Sequence, residues 1–289
     1  MNKTIVIALC LVIILALTGC QGINRKTDKK ALLVVSFGSS FIENRAASID
    51  AIEEELGSAF SEYDPFNAFT SQIIIDIYKD RDQVTYKNVA EQIENIYKKG
   101  YGEVLVVPTH VINGEEYDQM NEALEPFKDK FEIFNVSRPL LSSVEDYSQV
   151  IEAIMKEVPD VDEKTAVVLM GHGTHHDANS AYPALDYSFK HAGYPQVFVG
   201  TVEGSPSYDD VVKDMEESGY EKVLLMPLMI VAGDHAHNDM AGDEEDSWKV
   251  MFKAKGYDVD YVLKGLGELQ SIRQLFVQHA REALVEDEK

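Results

Sequence analysis

Short apolar runs alternate along this chain with longer segments in which apolar residues recur every three or four positions. Residues 31–35, 104–107, 166–170, 197–199 and 223–226 are rich in β-branched side chains and bounded by Gly, Pro or polar residues, which predicts strands. Amphipathic segments between them, at roughly 43–60, 82–98, 116–128, 145–157, 182–192, 207–218, 243–255 and 268–285, predict helices. Strands that are apolar throughout and alternate with helices indicate mainly parallel sheets covered on both faces, an α/β fold.

The pattern repeats. GYGEVLVVPTHVINGEEYDQM (100–120) matches GYEKVLLMPLMIVAGDHAHNDM (219–240): each has Gly-Tyr before a strand that ends in Pro (Pro108, Pro227) and a Gly six residues later (Gly114, Gly233). ALLVVSFGSS (31–40) likewise matches AVVLMGHGTH (166–175). Two similar α/β lobes are expected, residues 31–159 and 160–289, with the break after the acidic stretch EVPDVDEK. In this alignment His172 falls opposite Phe37 and His235 opposite Glu116. The second lobe is therefore expected to carry the metal or proton chemistry, and the first to form the facing wall.

Three predicted strand ends hold candidate ligands, and the carboxyl ends of parallel strands are where open α/β sheets bind. His172 follows VVLM in a Gly-flanked turn, Glu203 follows VFVGTV, and His235 opens the loop AGDHAHNDMAGDEED. Two imidazoles and a carboxylate form an open set for a divalent ion. Each has a plainer reading, as a turn histidine, a helix cap or part of a solvated acidic loop. His175 and His176 are adjacent and cannot aim both rings at one point from a helix, so they are assigned to the loop. There is no G-x-S-x-G elbow, P-loop or G-x-G-x-x-G, so hydrolase and nucleotide readings have no support.

Charge narrows the partners. With 26 basic and 50 acidic residues, net −24, the chain lacks the cationic footprint of a nucleic-acid binder. An anionic ligand would need local arginines or lysines. The N-terminus has the form of an export signal: Lys3, an apolar run over 5–17, then Leu17-Thr18-Gly19-Cys20. That ending resembles a bacterial lipobox, which implies a signal peptide over 1–20, lipidation of Cys20, a polar tether over 21–30 and an exported, membrane-anchored protein. An ordinary signal peptide or an uncleaved anchor is the alternative. Cys10 lies in the apolar run, so processing would leave no cysteine pair for a disulfide.

The motifs SFGSSFIENRAASIDAIE, VPTHVINGEEYDQM, GHGTHHDANSAYPALDY, TVEGSPSYDDV and PLMIVAGDHAHNDMAGDEEDSW, in order over about 31–283, resemble the anaerobic sirohydrochlorin cobaltochelatases, class II tetrapyrrole chelatases related in fold to ferrochelatase. The resemblance implies two α/β lobes around a cleft and insertion of Co2+ into sirohydrochlorin with loss of two pyrrole protons; related enzymes insert Fe2+ or Ni2+. It maps metal ligation to His172, Glu203 and His235, with His172 also the general base. Sirohydrochlorin carries eight carboxylates, and Arg45 and Arg138 are the candidates to pair with them, though each reads equally as a surface charge. Phe37, Phe41 and Ser39 are the other candidates for substrate contact, ordinary core packing being the alternative for the two phenylalanines. A homo-oligomer is a further possibility. Sirohydrochlorin is normally metallated in the cytoplasm, so an export signal leaves room for an exported tetrapyrrole, haem or metal carrier on the same scaffold.

Overall fold

The computed structural model describes residues 26–216 and 218–286. The leader and Cys20 lie outside the described residues. Strand β1 (Lys26–Ser36) pairs in parallel with β2 (Asp64–Phe69) on one side and β3 (Tyr101–Pro108) on the other, and β4 (Ile133–Val136) extends the sheet beyond β3. The second half repeats this: β5 (Thr165–Gly171) lies between β6 (Val197–Thr201) and β7 (Lys222–Leu228), with β8 (Asp258–Tyr261) outermost. The strand orders, β2-β1-β3-β4 and β6-β5-β7-β8, are the same.

Helix α1 begins at Ile42–Arg45, passes through a π-helical turn at Ala46–Asp50 and continues over Ala51–Ala59. It is followed by α2 (Gln72–Asp82), α3 (Val89–Lys98), α4 (Glu115–Leu124) and α5 (Val144–Met155). The second half carries α6 (Ala181–His191), α7 (Tyr208–Glu216), α8 (Trp248–Ala254) and α9 (Gln270–Glu286). The helix expected over 82–98 is confined to α3, and α2 before it matches no expected segment. Gln83, at φ +57°, ends α2 in a left-handed turn, and Asn88 starts α3 with a capping box to Glu91.

Side chains alternate across each central strand and so fill two cores. Leu32 and Val34 of β1 join Val167 and Leu169 of β5 in one large core between the sheets, while Ala31, Leu33 and Val35 pack outward with Val89, Ile93 and Ile96 of α3. On β5 the outward set is Ala166, Val168 and Met170, against Val211 and Met215 of α7 and Phe252 of α8. Burying a side chain of this size contributes about 1.5–3 kcal/mol.

The division at residue 160 requires one correction. Chain order assigns the last helix to the second lobe, but α9 packs on α1, α5, β3 and β4 of the first. Its Ile272, Phe276 and Ala280 enter the shared core beside Leu32 and Leu105. There it joins Ile52 and Leu56 of α1 and Val150 and Ile154 of α5 in the core on the inner face of the first sheet.

Candidate metal centre

In each sheet the chain moves to one side of the first strand and then returns to the other, so strand order reverses between β1 and β3, and between β5 and β7. Loops at such a switch point diverge and leave a crevice at the carboxyl ends. Here the two crevices face one another. A cavity of about 280 Å3 is lined by the loops after β1 (Phe37, Ser39, Phe41), β3 (His110, Glu116), β5 (His172, Thr174) and β7 (Ile230, Asp234, His235).

His172 and His235 meet there. Their ring centroids are 4.7 Å apart and the rings are nearly perpendicular, at 83°. His172 Nδ1 lies 2.8 Å from the carbonyl oxygen of Gly173, and His235 Nδ1 lies 2.6 Å from Asp239 Oδ2. A carbonyl or carboxylate can only accept, so both Nδ1 atoms carry the hydrogen, and in the neutral ring it is Nε2 that has the lone pair for a ligand. With metal–imidazole bonds of about 2.1 Å, this spacing suits two neighbouring positions around one divalent ion. The bond from His235 to Asp239 also fixes the orientation of the ring. Sequence reading placed Asp239 in an acidic loop; its i, i+4 spacing from His235 was the available signal.

Gly173 holds the His172 turn. Its φ is +82°, and a Cβ there would stand 2.5 Å from the Gly204 backbone nitrogen and 2.8 Å from Thr201 Cβ. Its counterpart in the repeat, Gly38, has φ +99°. Gly173→Ala is expected to cost about 1–3 kcal/mol from backbone strain alone and to displace His172. A lowered melting temperature together with weakened Co2+ binding checks this, and unchanged Co2+ affinity would contradict it.

The structure does not gather the whole expected ligand set. The Glu203 side chain is exposed and outside the cavity lining, although its backbone N–H donates to the His172 carbonyl at 2.8 Å. It follows β6, an edge strand, on the side of β5 away from the switch point. Among the described residues, no three His, Cys, Asp or Glu side chains stand together as a metal site.

Phe37 and Ser39 are on the lining. Phe37 is 49% exposed, whereas Ser39 is buried, with its Oγ accepting the Phe41 N–H at 3.3 Å. The two arginines expected to face substrate do not. Arg45 donates to Tyr86 Oη and to Asp50 (3.1 Å) and lies over the Tyr78 and Tyr86 rings. Arg138 pairs with Asp146 (3.2 Å) and with Glu282, joining the segment before α5 to α9. Both are spent on the fold, because the acidic chain supplies carboxylates within reach of each.

Two crowded histidines have other duties. His176 Nε2 faces Asp118 of the first lobe at 3.3 Å and its Nδ1 accepts the Ala178 N–H, while His175 is exposed. His237 stacks on Phe41 across the lobes, with centroids 5.1 Å apart. His110, which the sequence reading passed over, lines the cavity with both nitrogens buried and without a partner, and desolvation pushes its pKa down to about 4. Burial likewise pushes the Tyr182 hydroxyl on the lining up to about 12. The cleft therefore sets two poorly solvated groups, His110 and Tyr182, beside the carboxylates of Glu116 and Asp234 on the same lining as its two imidazoles.

Twin parallel sheets whose switch points face across a largely apolar cleft, with paired imidazoles on its lining, define a two-lobed α/β protein with its candidate site between the lobes. The family model for cobalt chelatase (CbiK) matches residues 30–285, and the chain belongs to that family. It is 40% identical over 256 residues to the sirohydrochlorin cobaltochelatase of Salmonella typhimurium, covering 89% of this chain and 97% of that protein. It is 31% identical over 261 residues to sirohydrochlorin cobaltochelatase CbiKC of Nitratidesulfovibrio vulgaris, covering 89% and 91%. In fold it is similar to SirB from Bacillus subtilis with Fe3+, at a TM-score of 0.61, 16% identity and coverage of 90% and 97%.

Proposed function

We propose that this protein inserts Co2+ into sirohydrochlorin. The observation that carries the reading is the His172–His235 pair, with both Nδ1 atoms engaged and both Nε2 lone pairs left for one ion inside a largely apolar cleft. Imidazole holds Co2+, Fe2+ or Ni2+ more loosely than thiolate, which suits an ion that must be given up.

Insertion replaces two pyrrole N–H bonds by metal–nitrogen bonds and releases two protons. As the ion leaves His172, its freed Nε2 takes one of those protons, a role that suits imidazole, whose unperturbed pKa lies near neutrality. Glu203 completes the metal set by rotation of its exposed side chain, its backbone already hydrogen-bonded to that of His172. Phe37 and Phe41 face the macrocycle from the first lobe. The cavity, about 280 Å3, falls just below the usual range for ligand pockets, about 300–1,000 Å3. The macrocycle therefore enters edge first, and its peripheral groups stay at the rim.

The leader supports attachment to the extracytoplasmic face of the membrane through Cys20. The tether expected over 21–30 is shorter than that: β1 begins at Lys26 and takes residues 26–30 into the first sheet.

The test is the absorbance of protein lacking residues 1–20, mixed with sirohydrochlorin and Co2+. Cobalt-sirohydrochlorin is expected to form well above the uncatalysed rate, and the absence of that excess overturns the reading. A tetrapyrrole absorption band in protein purified from its host, without insertion activity, would instead favour a carrier, the reading to which the leader lends support.

A further inference from the structure

The cavity lining contains no lysine or arginine among the described residues. The proposed substrate has eight carboxylates, the chain carries a net charge of −24, and Arg45 and Arg138 are committed elsewhere. A polyanion entering this cleft needs at least one cation at its edge. We infer that Arg81, in the last turn of α2, pairs with a peripheral carboxylate of the tetrapyrrole and sets the preference of the cleft for polycarboxylate macrocycles. The assignment rests on the chelatase reading above.

Three contacts place Arg81 at the rim. Its Nη1 donates at 2.9 Å to the carbonyl of Ser40, a residue of the cavity lining. Its guanidinium lies over the Tyr78 ring, 5.3 Å from the centroid. The Tyr78 hydroxyl donates to the Ser39 carbonyl at 2.9 Å, so the platform under Arg81 is tied to the same cavity loop. The guanidinium is thus held against the loop at the edge of the cleft.

The remaining edge already binds a carboxylate. Nε and Nη2 contact Asp82, at 3.0 Å and 2.7 Å to Oδ2, with Nε also 3.1 Å from Oδ1. This is the side-on, two-nitrogen geometry that a guanidinium offers to any carboxylate and an ammonium does not. The Arg81–Asp82 pair is between sequence neighbours, and its side chains are 43% and 26% exposed. Exposed pairs of this kind contribute little to stability, so exchanging Asp82 for a substrate carboxylate costs little.

The experiment measures kcat and KM for sirohydrochlorin with the full chain in detergent. Arg81→Ala is expected to raise KM about fivefold, the scale of one partly exposed charge pair, with kcat nearly unchanged. Arg81→Lys should recover only part of the loss, and Asp82→Asn, which frees the guanidinium, should lower KM. Esterifying the macrocycle carboxylates should bring wild type and Arg81→Ala together. A purely structural Arg81 would lower kcat or the melting temperature and act equally on the esterified macrocycle; either that pattern or an unchanged KM overturns the assignment. A wild type that neither binds nor metallates sirohydrochlorin overturns the chelatase reading and this assignment with it, whereas failure of the Arg81 variants alone leaves that reading standing.

Discussion

His172→Ala is expected to lower cobalt insertion by about 10²–10⁴-fold, the range for losing a positioned proton acceptor. The variant also loses one of two clustered ligands, so Co2+ affinity should fall with the rate. His235→Ala should weaken Co2+ binding comparably while leaving His172 available as proton acceptor. Asp239→Asn should produce a smaller deficit, about tenfold in metal affinity, because it disturbs the orientation of His235 and not the ligand itself. Initial rates followed by absorbance, with Co2+ affinity from calorimetric titration, separate the three. Insertion by His172→Ala at the wild-type rate would remove the proposed centre.

The largest expected loss of stability lies away from the cleft. Asp146 is 1% exposed; it accepts from Arg138 (3.2 Å) and from the Ser143 N–H (2.7 Å), and its Oδ1 lies 3.0 Å from His279 Nε2. His279 is also buried, and Arg138 continues to Glu282. Asp146→Ala removes the shared acceptor and leaves buried donors without a partner, a change expected to cost about 3–5 kcal/mol. Thermal unfolding measures it, and a melting temperature within a degree of wild type would rule the network out as a support of the fold.

The same group has a pH signature. Desolvation raises the Asp146 carboxyl, but the hydrogen bond from Arg138 and the charge and hydrogen bond of His279 outweigh it, leaving the pKa below its ordinary value. A depressed carboxylate stabilises the fold above its unfolded pKa, about 3.9, and loses that contribution as pH falls through the folded value. The stability gap between wild type and Asp146→Asn is therefore expected to be full near pH 7 and to shrink in acid below about pH 4.

The central strands were legible because β1, β3, β5 and β7 are buried on both faces and read as unbroken apolar runs. The edge strands β2 (DPFNAF), β4 (IFNV) and β8 (DVDY) expose part of their length and carry polar residues, so no such run marks them. His172 and His235 were legible through the repeat, where they replace Phe37 and Glu116. The structure places those two counterparts on the lining as well. Glu203 also ends a strand, but sequence does not reveal that β6 is an edge. The arginines misled for a related reason: proximity to a cavity motif in sequence says nothing about which carboxylate claims a guanidinium first. Arg81 was hidden because only the fold brings α2 against Ser40.

The return of α9 to the first lobe also governs the order in which the molecule can be made. The ribosome delivers β1 to β4 long before α9, and Arg138 waits 144 positions for Glu282. Contacts this distant in sequence slow folding. The core around Leu32 and Leu105 thus stays incomplete until α9 has emerged. A chain halted before residue 270 should be a substrate for chaperones and proteases and not a stable half-enzyme. The duplicated lobes look like two modules, but they mature as one.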